Sequence, residues 1–297
     1  MLPDFFVIGA QKAGSTYLLR CLGEHPQVYM PPSEVAFFED TLYDEGRLAW
    51  FESHFDPAQP GQVVGVKRPN VLGLAECPPR LRRHMPGLKL IAVLRAPVER
   101  AVSGYFHYMK TGLLPLLPIE AGMPKLLAGE LAERYPRSPE VLRFGLYHQH
   151  LARYREHFPP EQLHVTLLED IKGDPRGQLD AAYRFLGVEP GFEPPSVGSR
   201  PMAAPYSMTR LRLWNGIDRW VRDWSADGRY FNRRRDPLSR GLHTVNRGLD
   251  SQVWRRLFPA DRPRLSQALQ SALADYYRED TARLAELLGR PLPGWPA

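Results

Sequence analysis

Eight residues near the N-terminus carry the most specific chemistry in the chain. Gly9-Ala10-Gln11-Lys12-Ala13-Gly14-Ser15-Thr16 follow an apolar run, Phe5-Phe6-Val7-Ile8, and lead into a helical pattern. A glycine turn between strand and helix aims backbone N–H groups and the positive end of the helix dipole at one point, where an anion can sit. The nucleotide-binding pattern G-x-x-x-x-G-K-[ST] has the same glycine spacing. Here Ser15 stands where that pattern has lysine, and Lys12 brings the positive charge from inside the loop. A nucleoside triphosphatase also needs a metal-holding acid; no clear Walker-type aspartate follows an apolar strand, and Arg95 stands at the end of one instead. The competing reading is a plain strand-to-helix turn with a surface lysine.

A second segment reads Arg95-Ala96-Pro97-Val98-Glu99-Arg100-Ala101-Val102-Ser103. Arg95 ends an apolar strand, and Ser103 falls two turns into the next helix. A guanidinium fork and a hydroxyl so spaced can converge on one phosphate. An ion pair between Arg95 and Glu99 is the competing reading. Lys67 ends a third apolar run, Val63-Val64-Gly65-Val66. His54, His107 and His148 are rival proton acceptors on helical segments.

These residues need a scaffold that brings strand ends together. Strands are expected at 5–9, 63–67, 88–94 and 163–168. Helices are expected from Ser15, over 44–54, 97–110, 146–158, 175–187, 208–224 and 261–289. Residues 30–40 read as an extended loop, 112–140 as short helical pieces, 189–206 as a Pro/Gly/Ser-rich loop, and 225–250 as irregular. Alternating strands and helices indicate an α/β, three-layer P-loop-type fold with a mainly parallel sheet. Ligands in such sheets lie beyond the carboxyl ends of the strands, where Gly9–Thr16, Lys67 and Arg95 stand.

Composition sets the bounds. The 297 residues are 43% hydrophobic and 24% charged, which excludes a disordered chain. No apolar run of about 18 residues occurs, so a transmembrane helix is not expected. Met1-Leu2-Pro3-Asp4 has no basic region of a secretory signal. Two cysteines, Cys21 and Cys77, are too few for a disulfide framework, and no Cys/His cluster has zinc spacing. The expectation is a cytoplasmic protein without a metal. The net charge of +6 fits a nucleic acid, an anionic membrane or an anionic small molecule equally well.

The segments FFVIGAQKAGSTYL and LIAVLRAPVERAVSGYFHY, taken in order, resemble the sulfotransferases that use 3′-phosphoadenosine 5′-phosphosulfate (PAPS). The carbohydrate and heparan-sulfate type and its bacterial relatives are the most similar. The likeness continues through Gly145-x-Tyr147, LHVTLLEDIKGDP and Phe185-Leu186-Gly187, over about residues 4–190. It implies that Lys12, Ala13, Gly14, Ser15 and Thr16 form the 5′-phosphosulfate loop, and that Arg95 and Ser103 take the 3′-phosphate. A K-E-x-x-F-F pattern carries that family's catalytic base. Ser33-Glu34-Val35-Ala36-Phe37-Phe38 matches it with serine for the lysine, so the resemblance makes Glu34 the base. It also places Lys67 in the site. In-line transfer would then use Glu34 to take the acceptor's proton and Lys12 to offset charge on the leaving oxygen, with Lys67 assisting. The family's Lys-Gly-Arg loop for the 3′-phosphate has no match, and Arg200 is the candidate substitute.

The expected organisation is one sulfotransferase domain: a nucleotide-binding core over 1–190, a basic Trp/Arg-rich acceptor-side insertion over 191–260, and a C-terminal helix over 261–297. Residues 200–264 hold 15 Arg, no Lys and 6 Asp. On a helix over 208–224, Met208, Leu211, Trp214, Ile217, Val221 and Trp224 share a face. That segment reads as a helix packed on the core, an acceptor lid, or a peripheral membrane contact. The expected acceptor is a small molecule, an oligosaccharide or a lipid-linked sugar. A P-loop kinase or NTPase, and a nucleic-acid-binding protein using 200–264, are the alternatives. Nothing in the sequence forms a recognition helix or RNA-binding signature, so no nucleic-acid partner is expected.

Overall fold

The computed structural model describes residues 1–199, 206–225, 231–234 and 236–296. In chain order the elements are β1 (Phe5–Gly9), α1 (Ser15–Gly23), β2 (Val28–Tyr29), α2 (Leu48–Glu52), β3 (Val63–Lys67), α3 (Cys77–His84), β4 (Lys89–Leu94) and α4 (Pro97–Thr111). Then come α5 (Ile119–Leu127), α6 (Glu140–Arg143), α7 (Tyr147–Arg155), β5 (Leu163–Leu167), α8 (Leu168–Gly173) and α9 (Pro175–Leu186). The last are α10 (Met208–Asp218), β6 (Arg222–Trp224), β7 (Phe231–Arg233), α11 (Pro237–Leu249), α12 (Arg255–Leu257) and α13 (Gln267–Leu288).

The chain divides into two compact units. Met1–Arg100, Leu146–Met202 and Arg278–Ala297 make the first, and Ala101–Gly145 with Ala203–Tyr277 make the second. The first unit holds a five-stranded parallel sheet in the order β2-β3-β1-β4-β5. Alternate residues of a strand face opposite sides, and β1 divides its side chains accordingly. Phe6 and Ile8 join a core with Phe37, Phe51, Leu81 and Tyr154. Phe5 and Val7 join another with Leu18, Leu22, Leu179 and Tyr183. Two apolar faces need two covering layers, which is why the strands read as continuous apolar runs. Each such side chain, fully buried, stabilises the fold by roughly 1.5–3 kcal/mol. Gly65 is required beside Phe5, because a Cβ there would come within 2.1 Å of the ring.

The chain winds from β1 to β3 on one side, then returns to β4 and β5 on the other. The reversal falls at β1, so the carboxyl ends of β1, β3 and β4 border the crevice where such sheets bind ligands.

The second unit contains α5, α6, α10, α11, α12 and the antiparallel pair β6–β7. Two expectations change here. Residues 208–224 do not make one helix, since α10 closes at Asp218 and β6 follows. Leu211, Trp214 and Val221 are buried and Met208 and Ile217 half-buried, so of the apolar stripe only Trp224 is exposed. The buried pair of Asp218 with Arg222 fixes the turn between the two elements. Residues 225–250 are not irregular throughout, because α11 occupies much of the segment. Asp236 caps it, its Oδ1 accepting from Ser239 N at 2.9 Å, and Pro237 sits at the first position, an arrangement that starts helices. Gly241 and Gly248 dilute its helical signal. In addition, β2 and α3 are formed where no element was expected, and α13 begins at Gln267 rather than 261. Arg200 lies outside the described residues. Among the described residues, no helix is long and apolar enough to cross a membrane.

Candidate active site

The loop after β1 is held from below. Ala10 N donates to Val93 O at 2.6 Å, and buried Gln11 donates to Asn70 Oδ1 at 2.9 Å. Ala13 is wholly buried. Lys12 and Gly14 both adopt left-handed backbone, with φ of 69° and 96°. A Cβ on Gly14 would lie 2.7 Å from Leu168 Cδ1, so only glycine fits that turn. A lysine at positive φ is a costly choice, of the kind that clusters at functional sites.

Gly14 is also the N-cap of α1, and it offers no side-chain acceptor; the helix has no acid in its first turn. The first N–H groups of any helix lack intrahelical partners. Here Tyr17 N donates to Gly14 O at 2.9 Å, which leaves the N–H groups of Ser15 and Thr16 at the glycine turn, beside their own hydroxyls and with no acid in the first turn. The donor set suits an oxyanion such as a phosphate.

Lys67 stands at the end of β3 and is 3% exposed. Its Nζ lies 3.0 Å from Thr16 Oγ1 and 2.6 Å from Glu34 Oε1. A buried ammonium is retained only when paired, and this one is paired on both sides. Glu34 reaches it from a loop without regular structure. Phe37 and Phe38, buried against Phe51, anchor that loop in the core.

The other oxygen of Glu34 faces Arg68, whose Nη1 is 3.3 Å from Oε2. Arg68 is committed more strongly to Glu39, with its Nε 2.8 Å and its Nη2 2.6 Å from Glu39 Oε1. Burial alone would lower the pKa of Arg68, but the carboxylates of Glu39 and Glu34 outweigh it and the net shift is upward. Both oxygens of Glu34 are therefore held by cations, and the 3.3 Å contact is the looser one. Sequence reasoning missed Arg68 and Glu39. The available signal was position: each carboxylate flanks Val35–Phe38, and Arg68 follows Lys67.

Arg95, at the end of β4, bends back to the loop, its Nη1 donating to Lys12 O at 3.3 Å. It also pairs with Glu99 at 3.0 Å, so the competing reading of this residue is realised too. A partly exposed pair of this type contributes only about 0.3–0.5 kcal/mol, little beside charge-assisted bonds to a phosphate. Tyr147, whose hydroxyl donates to Arg95 O at 2.8 Å, fixes the backbone at that point. Burial pushes its pKa up.

The structure thus brings Lys12, Ser15, Thr16, Lys67, Glu34 and Arg95 to one end of one sheet. Ser103 is buried and His107 half-buried on α4, in the second unit. The ring of His54 is engaged by Trp50 O at 2.9 Å, and His148 starts α7, its N donating to Asp280 at 3.0 Å. Among the described residues, no group of three or more His, Cys, Asp or Glu is arranged to hold a metal ion.

A five-stranded parallel sheet whose central strand runs through a glycine turn into an uncapped helix defines the P-loop-type class of α/β proteins. Within that class, the sulfotransferase domain matches residues 2–195, and the chain belongs to that family. Heparan sulfate glucosamine 3-O-sulfotransferase 6 of Homo sapiens is 33% identical over 192 residues, which is 63% of this chain and 53% of that protein. Heparan sulfate glucosamine 3-O-sulfotransferase 3B1 of Homo sapiens is 32% identical over 188 residues, 63% of this chain and 47% of that protein. The chain thus spans about half the length of these curated relatives. A crystal structure of a sulfotransferase from Alicyclobacillus acidocaldarius has the same fold, with a TM-score of 0.69 and 22% identity over 100% of both chains.

Proposed function

We propose that this chain transfers the sulfonate of PAPS to a hydroxyl of a saccharide-bearing acceptor, giving a sulfate ester and 3′,5′-diphosphoadenosine (PAP). The observation that carries this reading is the buried ammonium of Lys67, which links Thr16 on the phosphate loop to Glu34 at 3.0 and 2.6 Å. Bound at the loop, PAPS supplies an activated sulfonate, whose sulfur bonds the acceptor oxygen as its bridging bond to the 5′-phosphate breaks.

The chain's own residues supply the rest. The loop amides, Ser15 and Thr16 hold the 5′-phosphate end. Lys12 meets negative charge as it grows on the leaving oxygen, in a site where no solvent need reorganise. Glu34 takes the acceptor's proton on Oε2, exchanging the looser contact with Arg68 for the acceptor O–H. Lys67 keeps Oε1 in place during that exchange. Arg95 meets the 3′-phosphate, with Ser103 as its second donor on the evidence of the motif spacing.

A saccharide acceptor is supported by the relatives, whose names specify heparan sulfate glucosamine. Oligosaccharides, glycolipids and sugar-bearing small molecules all present the required hydroxyl. The deciding experiment has two arms. The first is calorimetric titration with PAP, with and without Lys12→Ala. The second is transfer of labelled sulfate from PAPS to heparan sulfate and a panel of glycosides. Tight PAP binding that Lys12→Ala weakens, with label on a sugar, supports the proposal. No PAP binding sinks it, and Mg²⁺-dependent ATP binding in its place favours the kinase alternative.

A further inference from the structure

α11 turns two polar residues, Ser239 and Asn246, inward. Ser239 and Asn246 are buried, and Asn246 Nδ2 donates to Trp214 O of α10 at 3.1 Å. Asp250, just past the helix, is buried too, between Lys110 and Arg210. The apolar residues Leu238, Leu242, Val245 and Leu249 recur at spacings that align them along one side of a helix. Leu238 is 73% exposed and Val245 56%, and the row continues past α11 to Leu257 at 65%. α10 packs on α11 and leaves Leu213 37% exposed, and Trp220, just past its end, is 63% exposed. Of the ten large hydrophobic residues exposed among the described residues, seven lie between Leu213 and Leu257. Scattered singly they would need no explanation, but concentrated in one stretch of the second unit they mark a contact surface.

The charge around this surface specifies the partner. Residues 200–264 carry 15 Arg against 6 Asp, with no Lys or Glu. Arg212 on α10, Arg219 just past its end, Arg240 and Arg247 on α11, and Arg255 and Arg256 on α12 are all exposed. Asp218 and Asp250 are turned inward to Arg222, Arg210 and Lys110. The exposed side is therefore rich in arginine, with only Asp223, Asp236 and Asp261 as exposed acids among the described residues, and on α11 Leu238 and Val245 take one flank of that side while Arg240 and Arg247 take the other. A nucleic acid would use the arginines and gain nothing from Leu238, Val245 and Leu257. A second copy docked symmetrically would set arginine against arginine. An anionic bilayer uses both, because headgroups attract arginine and the acyl boundary takes up leucine, valine and tryptophan.

We propose that α11 and α12, with the exposed side of α10, form an interfacial surface that binds anionic lipid bilayers. The proposal is independent of the sulfonate-transfer reading. It also differs from a membrane contact through the apolar stripe of 208–224, in which Leu211, Trp214 and Val221 are buried.

The test is co-sedimentation of the full chain with vesicles of phosphatidylcholine alone or mixed with phosphatidylglycerol. Binding to the mixed vesicles should exceed binding to the neutral ones by about tenfold or more, and should weaken with salt. Leu238→Ser with Val245→Ser should cut it about tenfold, as should Arg240→Gln with Arg247→Gln. These side chains are exposed, so the variants should keep the parent's circular dichroism; Leu257→Ser replaces any that do not. The emission of Trp220, read as the difference from Trp220→Phe, should shift to the blue on vesicles. No binding to anionic vesicles overturns the proposal, as does binding that the Leu238 and Val245 changes leave intact. Two other results also overturn it: a dimer that Val245→Asp dissociates without any vesicle binding, or duplex DNA bound as tightly as the vesicles.

Discussion

Lys67 Nζ sits 2.6 Å from Glu34 Oε1 while its own chain position is the last residue of a buried strand. The ammonium cannot leave without exposing an unpaired charge in the core, so the carboxylate inherits the rigidity of the sheet. A loop residue is thereby positioned as if it belonged to regular structure. The same ammonium touches Thr16 at 3.0 Å, so the carboxylate and the phosphate loop share one reference point.

Glu34→Gln keeps the size and the contact with Lys67 but removes the proton acceptor. Sulfate transfer should fall by about 10²–10⁴ in kcat/KM, while PAP affinity stays within about twofold, since Glu34 makes no contact with the loop amides. A parallel loss of PAP binding would assign Glu34 to nucleotide binding instead. Lys67→Ala should impair both measurements, because Lys67 serves both neighbours.

Arg68 and Glu39 form the most buried ion pair of the site, with Glu39 only 1% exposed. Arg68→Leu strands that carboxylate and should destabilise the fold by about 3 kcal/mol. The double variant Arg68→Leu, Glu39→Leu should recover most of the loss, because no buried charge remains. Urea unfolding of the two variants checks this, and equal stabilities would refute it.

Gly14→Ala forces a Cβ into left-handed backbone against Leu168 Cδ1, 2.7 Å away. The expected cost is about 1–2 kcal/mol in stability, together with weaker PAP binding as the loop shifts. Thermal unfolding and PAP titration report the two effects separately. Gly61→Ala provides a comparison, having positive φ but nothing within 4 Å; it should lose stability and leave PAP binding unchanged.

The second unit should have an acid-sensitive joint. Burial pushes the Asp250 carboxyl up, but its bonds to Arg210 and Lys110 outweigh that and hold it below the usual range. A carboxyl depressed in the folded state adds stability above its unfolded value of about 3.9, and this is lost as pH falls through the lower folded value. Asp250→Asn should therefore be less stable than the parent at neutral pH and flatter in its stability profile below about pH 4. Urea midpoints measured across that range decide it. Parallel profiles would show that Asp250 is not the titrating group.

The sequence alone determined the local devices. Phe5–Ile8 running into Gly9–Thr16 is contiguous, and its strand, turn and helix are set by neighbours a few residues apart. The ends of β3 and β4 were legible for the same reason, since parallel strands buried on both faces leave apolar runs. From there the alternation of strand and helix implied the fold class. The strand ends also named Lys67 and Arg95, and the family resemblance named Glu34, although neither could say what each would touch.

Only the tertiary structure decided those partners. Lys67 meets Glu34, and Arg68 meets Glu39, from opposite ends of intervening chain, and no periodicity records such a meeting. It also decided how α11 is turned. A helical pattern reveals which side is apolar, but the neighbours that cover a side determine whether it is buried. Trp214 accepts from Asn246, and Arg210 and Lys110 pair with Asp250, on the inward side of the α11 region, while Leu238 and Val245 face out.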